Sequence, residues 1–70
     1  MDRQFVNSSD ITSIGYDKPS KILEVEFHGS RIYQYENVPE GMYKDLMWVY
    51  DTDGFFNKEI KGVYGYKRKK

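Results

Sequence analysis

The stretch KILEVEF, Lys21 to Phe27, constrains this chain more than any other. Leu23, Val25 and Phe27 alternate with Glu24 and Glu26, a period of two that suits a strand with one face buried and one face in water. Turn residues close both ends, Asp17-Lys18-Pro19-Ser20 before it and His28-Gly29-Ser30 after it. Proline presets φ, aspartate accepts local N–H bonds, and Gly29 is free to take a positive φ. Connections this short force the neighbouring strands to run antiparallel. One neighbour is Asp10 to Tyr16, with Ile14 and Tyr16 on one face and Ile11 and Ser13 on the other. The second is Ile32 to Glu36. The expectation is a three-stranded antiparallel meander.

Pro39 suits the first position of a helix, where its missing N–H costs nothing. Met42, Leu46 and Val49 recur at helical spacing beside a second row, Tyr43, Met47 and Tyr50, so an amphipathic helix over about Pro39 to Tyr50 packs the sheet. Asp53 then reads as the N-cap of a short second helix, Gly54 to Lys61, ended by Gly62. Phe56 and Ile60, at i and i+4, dock it on the core. Val63 to Tyr66 is either a fourth, edge strand or simply extended. The fold class is α+β in one domain, residues 1–70, with a flexible start at 1–5 and a basic tail at 67–70. Ser8, Ser9 and Asp10 suit a local turn or cap.

Seventy residues without a cysteine leave no disulfide and no thiolate metal site to staple a small core. One histidine excludes the usual multi-His metal sites. No apolar run is long enough to span a membrane, and MDRQFVNSSD lacks the apolar region of a signal peptide, so the expected location is the cytoplasm. Seven tyrosines, four phenylalanines and a tryptophan are more rings than such a core can enclose. The surplus belongs at an interface or a ligand site. Charge is uneven: residues 1–57 are net acidic, while Lys58, Lys61, Lys67, Arg68, Lys69 and Lys70 make the end basic.

Tyr33 and Tyr35, in RIYQYENVP, share a strand face. A hairpin loop with an odd residue count, such as Gly29-Ser30-Arg31, sets Phe27 opposite Tyr33 and turns them to the Leu23-Val25-Phe27 side; an even loop, Gly29-Ser30, sets Phe27 opposite Ile32 and turns them outward. The polar alternation of Gln34 and Glu36 with Ile32 favours the odd loop.

In order along the chain stand SSDITSIGYD, LEVEF, YQYENVP and GFFNKEI. Together these resemble the KTSC domain, a family named for its occurrence at the C-terminus of some lysyl-tRNA synthetases and found also as small stand-alone proteins of bacteria and phages. The resemblance runs over about residues 6 to 66. Its marks are Tyr33-Gln34-Tyr35 with Val38-Pro39, and Gly54, Phe56, Asn57 and Ile60. Two departures are VYDTDG, where the family often has Ala and Ser before the glycine, and Lys61, where it often has Arg. Lysine keeps the charge and lacks the bidentate fork. The resemblance implies an α+β fold without known catalysis, and a suggested link to RNA. Small phage proteins of this general build are similar to sponges that sequester cyclic nucleotide signals of bacterial defence; such a protein acts in the host cytoplasm.

For chemistry, the carboxylates form no motif, Ser8 and Ser9 have no base pattern, and no phosphate-binding glycine loop occurs, so no enzyme, catalytic residue, metal or cofactor is expected. Extended RNA needs many clustered cations, and the acidic body opposes it. A small phosphorylated nucleotide needs only a few cations and aromatic faces. Tyr16, Tyr33, Tyr35, Tyr64 and Tyr66 offer the faces, Asn57 a hydrogen-bonding amide, and Arg31, Lys58, Lys61, Lys67 and Arg68 the cations. A chain this small would complete a pocket between subunits of a homo-oligomer. The expected function is capture of a small nucleotide ligand. RNA or tRNA binding is the alternative, and a protein-interaction adaptor is third.

Overall fold

Five antiparallel strands and two helices form the molecule, described for residues 2–70 by a computed structural model. In chain order they are β1 (Arg3–Phe5), β2 (Ile11–Asp17), β3 (Ile22–Phe27), β4 (Arg31–Tyr35), α1 (Glu40–Trp48), α2 (Thr52–Glu59) and β5 (Tyr66–Arg68). The sheet order is also β1-β2-β3-β4-β5. The three central strands pair antiparallel as the short turns require. None of the helices is long and apolar enough to cross a membrane among the described residues.

Both ends of the chain depart from expectation. Residues 3–5 were read as loose, yet they pair with β2 in the register Arg3↔Gly15, Gln4↔Ile14, Phe5↔Ser13. The reason is a charge pair. The Arg3 guanidinium reaches across β2 to the Glu24 carboxylate, which is only 8% exposed. Glu24 was expected in water; instead Arg3 and Gln34 cover it, with the Gln34 amide donating at 2.8 Å. At the other end the last strand is Tyr66–Arg68, not Val63–Tyr66, and the basic tail is built into the sheet. Ile32 donates to the Lys70 carbonyl at 2.8 Å and accepts from Lys69 at 2.7 Å. Backbone pairing holds this segment while its cationic side chains stay in solvent, a common guard for an edge strand.

Simple alternation sets Ile11 and Ile14 on opposite faces, but both are fully buried in one core. A bulge allows it: Ile11 pairs with Phe27 and Ser13 with Glu26, so Thr12 is an extra residue that switches the alternation. Ile11, Ile14, Leu23, Val25, Phe27 and Tyr35 then meet Val38, Leu46, Phe56 and Ile60. Phe56 and Ile60 dock on the core as the i, i+4 spacing requires.

The first helix is shorter than expected. Pro39 is its N-cap, Val49 its extended C-cap, and Tyr50 lies outside it, fully exposed. The second helix explains the early stop. Its N-cap is Asp51, whose carboxylate accepts from the Gly54 amide at 3.0 Å, and a cap must leave helical geometry. Asp53, expected as that cap, lies within α2. It accepts hydrogen bonds from the Ser8 and Ser9 hydroxyls and from the Ser9 amide at 3.1 Å, tying the β1–β2 loop to the helix. Those bonds, from Ser8 first and Ser9 second, hold its carboxyl below the usual range. The helix runs Thr52–Glu59 rather than Gly54 to Lys61, with Ile60 as its C-cap, and Gly62, with φ of 79°, turns the chain two residues beyond that cap.

Candidate functional site

The tyrosine question resolves through the β3–β4 register. Leu23 faces Tyr35 and Val25 faces Tyr33 across a three-residue loop, His28-Gly29-Ser30. The odd count puts both rings on the core side; the pairing of Phe27 is with Arg31, two residues short of Tyr33. Strand β5 then sets Tyr66 opposite Tyr35 and Arg68 opposite Tyr33. Three tyrosines thereby gather at one corner of the sheet. Tyr66 lies 5.3 Å from Tyr33 and 5.4 Å from Tyr35 by ring centroids. Tyr33 and Tyr35 stack loosely at 6.5 Å. Edge-on contacts from Phe27 to Tyr33 and from Phe56 to Tyr35 fix the cluster from below.

Between this cluster and the end of α2 lies a cleft of about 220 Å³. Phe27, Tyr33, Tyr35 and Tyr66 line one side; Asn57, Lys61 and Gly62 line the other; Asp10 and Arg31 stand at the rim. Arg31 is held by several partners. Its guanidinium sits 5.5 Å above the Phe27 ring, donates to the His28 carbonyl at 3.2 Å and lies 3.9 Å from the Asp10 carboxylate. The Arg68 guanidinium lies 5.9 Å from the Tyr33 ring centre. Burial, helped by the neighbouring Tyr66 and Tyr33, pushes the Tyr35 hydroxyl up to about 12, so it stays a neutral O–H at physiological pH. Every buried side-chain polar atom among the described residues has a hydrogen-bond partner.

Of the residues singled out by sequence, Tyr33, Tyr35, Tyr66, Asn57, Arg31 and Lys61 meet at this cleft, with Arg68 beside it. The others lie elsewhere. Tyr16 stacks on Tyr43 of α1 at 5.1 Å and donates to the Val38 carbonyl, a structural use of both its ring and its hydroxyl. Its hydroxyl is shifted upward by burial, then by Glu40 and Asp17. Tyr64 packs against the core. Lys58 is exposed on α2 and does not line the cleft. Lys67 opposes Gln34, on the other face from the tyrosines, and pairs with Glu36 at 3.6 Å. Phe27, Asp10 and Gly62 were missed as lining residues. Phe27 was legible from strand alternation, because it shares a face with the tyrosines. Asp10 had no sequence signal, since only the fold brings it to Arg31.

Sequence and structure comparisons agree on relationship. The KTSC domain profile matches residues 7–64. An uncharacterised protein of Stutzerimonas stutzeri is 38% identical over 61 residues, 87% of this chain and 86% of that protein. A protein of Tsukamurella paurometabola is 38% identical over 58 residues, 83% and 87% of the two chains. The crystal structure of a KTSC domain protein from Yersinia pestis superposes with a TM-score of 0.93 at 39% identity, over 96% of this chain and 94% of that one.

Proposed function

The chain belongs to the KTSC domain family, and on that premise we propose that it is a non-catalytic module whose tyrosine cleft captures a small phosphorylated, base-containing ligand in the cytoplasm. The observation that carries the reading is the convergence of three tyrosines, one amide and two cations on one cleft. An aromatic face favours a base by stacking. Lys61 and Arg31 at the rim favour a phosphate, and Asn57 can read a base edge or a ribose hydroxyl. The cleft is small, so it takes one nucleoside moiety and leaves the phosphate at the rim. A cyclic oligonucleotide signal fits this chemistry as one member of the class. Catalysis has little support: the one carboxylate at the cleft is Asp10, beside Arg31, and the floor hydroxyl of Tyr35 is a poor base.

Addition of mono-, di- or cyclic nucleotides should raise the melting temperature. Ligand at a hundredfold excess over Kd stabilises by about 2.7 kcal/mol. The exposed residues Tyr66 and Lys61 provide the controls. Lys61→Glu should remove most of the shift while leaving the unliganded melting temperature near that of the wild type, and Tyr66→Ala should remove it while lowering that temperature, since its ring packs on Tyr33 and Tyr35. No shift with any nucleotide at millimolar concentration overturns the reading, and a shift that survives both substitutions places the ligand elsewhere.

RNA binding remains a second reading because β5 lays Lys67, Arg68, Lys69 and Lys70 along the edge beside Tyr66. A single strand could stack there and follow the cations. Its signature is affinity for single-stranded RNA that falls steeply with salt.

A further inference from the structure

The two edges of the sheet differ in what they could accept. Along β5, two copies brought edge to edge would oppose lysines and arginine to one another. Strand β1 carries Arg3, Gln4 and Phe5, with the Arg3 charge already committed to Glu24. The Phe5 ring is 84% exposed. Trp48, 89% exposed, and Tyr50, fully exposed, stand across a shallow groove from it. Among the described residues, these three large exposed apolar side chains line one groove.

The backbone of β1 is suited to its own copy. Val6 donates to the Thr12 carbonyl at 3.1 Å, next in register to Phe5↔Ser13 and Gln4↔Ile14. Antiparallel pairs alternate, so Gln4 turns its N–H and C=O toward β2, and Arg3 and Phe5 turn theirs to the open edge. A second copy placed on a two-fold axis at Gln4 sets Arg3 of each copy opposite Phe5 of the other. Each such pair has both its N–H and C=O groups free for exchange. The axis stands perpendicular to the sheet, so the helices of both copies lie on the same side, and Trp48 and Tyr50 of both flank the seam. Phe5 shares the outer face with Arg3 and Ser13, so the rings cover the seam from both sides: Trp48 and Tyr50 on the helix side, at up to about 300–500 Å² per copy, and Phe5 against the facing Arg3 on the other, at up to about 150–250 Å². With the strand ladder, that approaches the roughly 800 Å² per partner of a standard interface.

We propose that a second copy of this chain docks on the β1 edge, joining the two sheets through an antiparallel β1–β1 pair centred on Gln4. Trp48 and Tyr50 bury the flank of this dimer, and the tyrosine cleft, at the opposite edge of the sheet, stays open in both copies. The proposal does not rest on what that cleft binds.

The absence of cysteine makes the test direct. Facing Gln4 residues form a non-hydrogen-bonded pair with Cα atoms about 4.5 Å apart, inside the range a disulfide can span. Gln4→Cys should cross-link into covalent dimers under mild oxidation. Phe5→Cys, whose partner in the seam is Arg3 rather than itself, should cross-link at least roughly tenfold more slowly. By sedimentation the wild type should be a dimer. Phe5→Lys sets like charges opposite Arg3 and should weaken that dimer by roughly tenfold or more, with circular dichroism unchanged because the ring it replaces is exposed. A wild type that stays monomeric at millimolar concentration overturns the proposal. So does a dimer indifferent to Phe5→Lys, or a Gln4→Cys variant that cross-links no faster than Phe5→Cys.

Discussion

Phe56→Ala should cost the fold about 3–5 kcal/mol. The ring is 3% exposed and makes edge-on contacts to Phe27 at 5.5 Å and Tyr35 at 5.4 Å. Removing it opens a cavity where α2 meets the sheet, beside the Ile60 contact. A single core of this size rarely supplies more than about 3–5 kcal/mol in total, so the variant should be largely unfolded at 25 °C. Urea titration followed by far-ultraviolet circular dichroism measures this directly. Phe56→Leu keeps most of the volume and should remain folded with a lowered midpoint. Its cleft should be impaired more than its stability, because the Tyr35 ring loses its support. An alanine variant with a midpoint near the wild type would show that the helix is held by other contacts.

Arg3→Ala should cost about 2–3 kcal/mol, a large effect for a residue three places from the chain start. Arg3 Nε donates to the Ser13 hydroxyl at 3.0 Å, and its guanidinium pairs with Glu24 and lies 3.7 Å from Glu26. Without it, a buried carboxylate keeps Gln34 as a partner and loses its counter-charge. The acid response gives the prediction a second readout. Burial pushes the Glu24 carboxyl up, but the hydrogen bonds from Gln34 and Arg3 and the charge of Arg3 outweigh it and hold the group below its ordinary 4.5. A folded value below the unfolded one means stability that is complete above pH 4.5 and is lost as pH falls through the depressed value. Asp53, held low by Ser8 and Ser9, adds to the same acid loss. In Arg3→Ala, burial wins, and protonation of Glu24 relieves rather than harms the fold. The stability gap between variant and wild type should therefore narrow as pH falls from neutrality toward 4. A gap that stays constant over that range would mean that Arg3 acts by packing alone.

The central hairpins were legible in sequence because short turns and a period of two leave one arrangement. KILEVEF and its two neighbours paired as the pattern required. The ends were not legible, and the reason is long-range charge. Nothing near Arg3 in sequence announces a strand; the Glu24 that fixes it lies twenty-one residues away. The basic tail reads as solvated because its side chains are, while its backbone is committed to β4. Ile11 was placed on the wrong face because a bulge leaves no mark in composition. At the candidate site, the strand tyrosines followed from alternation once the loop count was odd. Tyr16 and Tyr64 could not be separated from them by residue type, since each has a ring and a hydroxyl; only packing sorts them.

Strand β5 also orders events in time. β1 to β4 pair as successive hairpins between near neighbours, whereas Tyr66 meets Tyr35 across the whole helical segment between them. Non-local pairing of this kind comes late in folding. A ligand in the tyrosine cleft touches contacts that the folding transition state lacks. It should slow unfolding and leave the refolding rate unchanged in a chevron measurement, and a faster refolding limb would show that β5 docks early. On that order the cleft should be the last part of the molecule to assemble and the first to come apart, and an occupant should act as a latch on the lifetime of the folded chain.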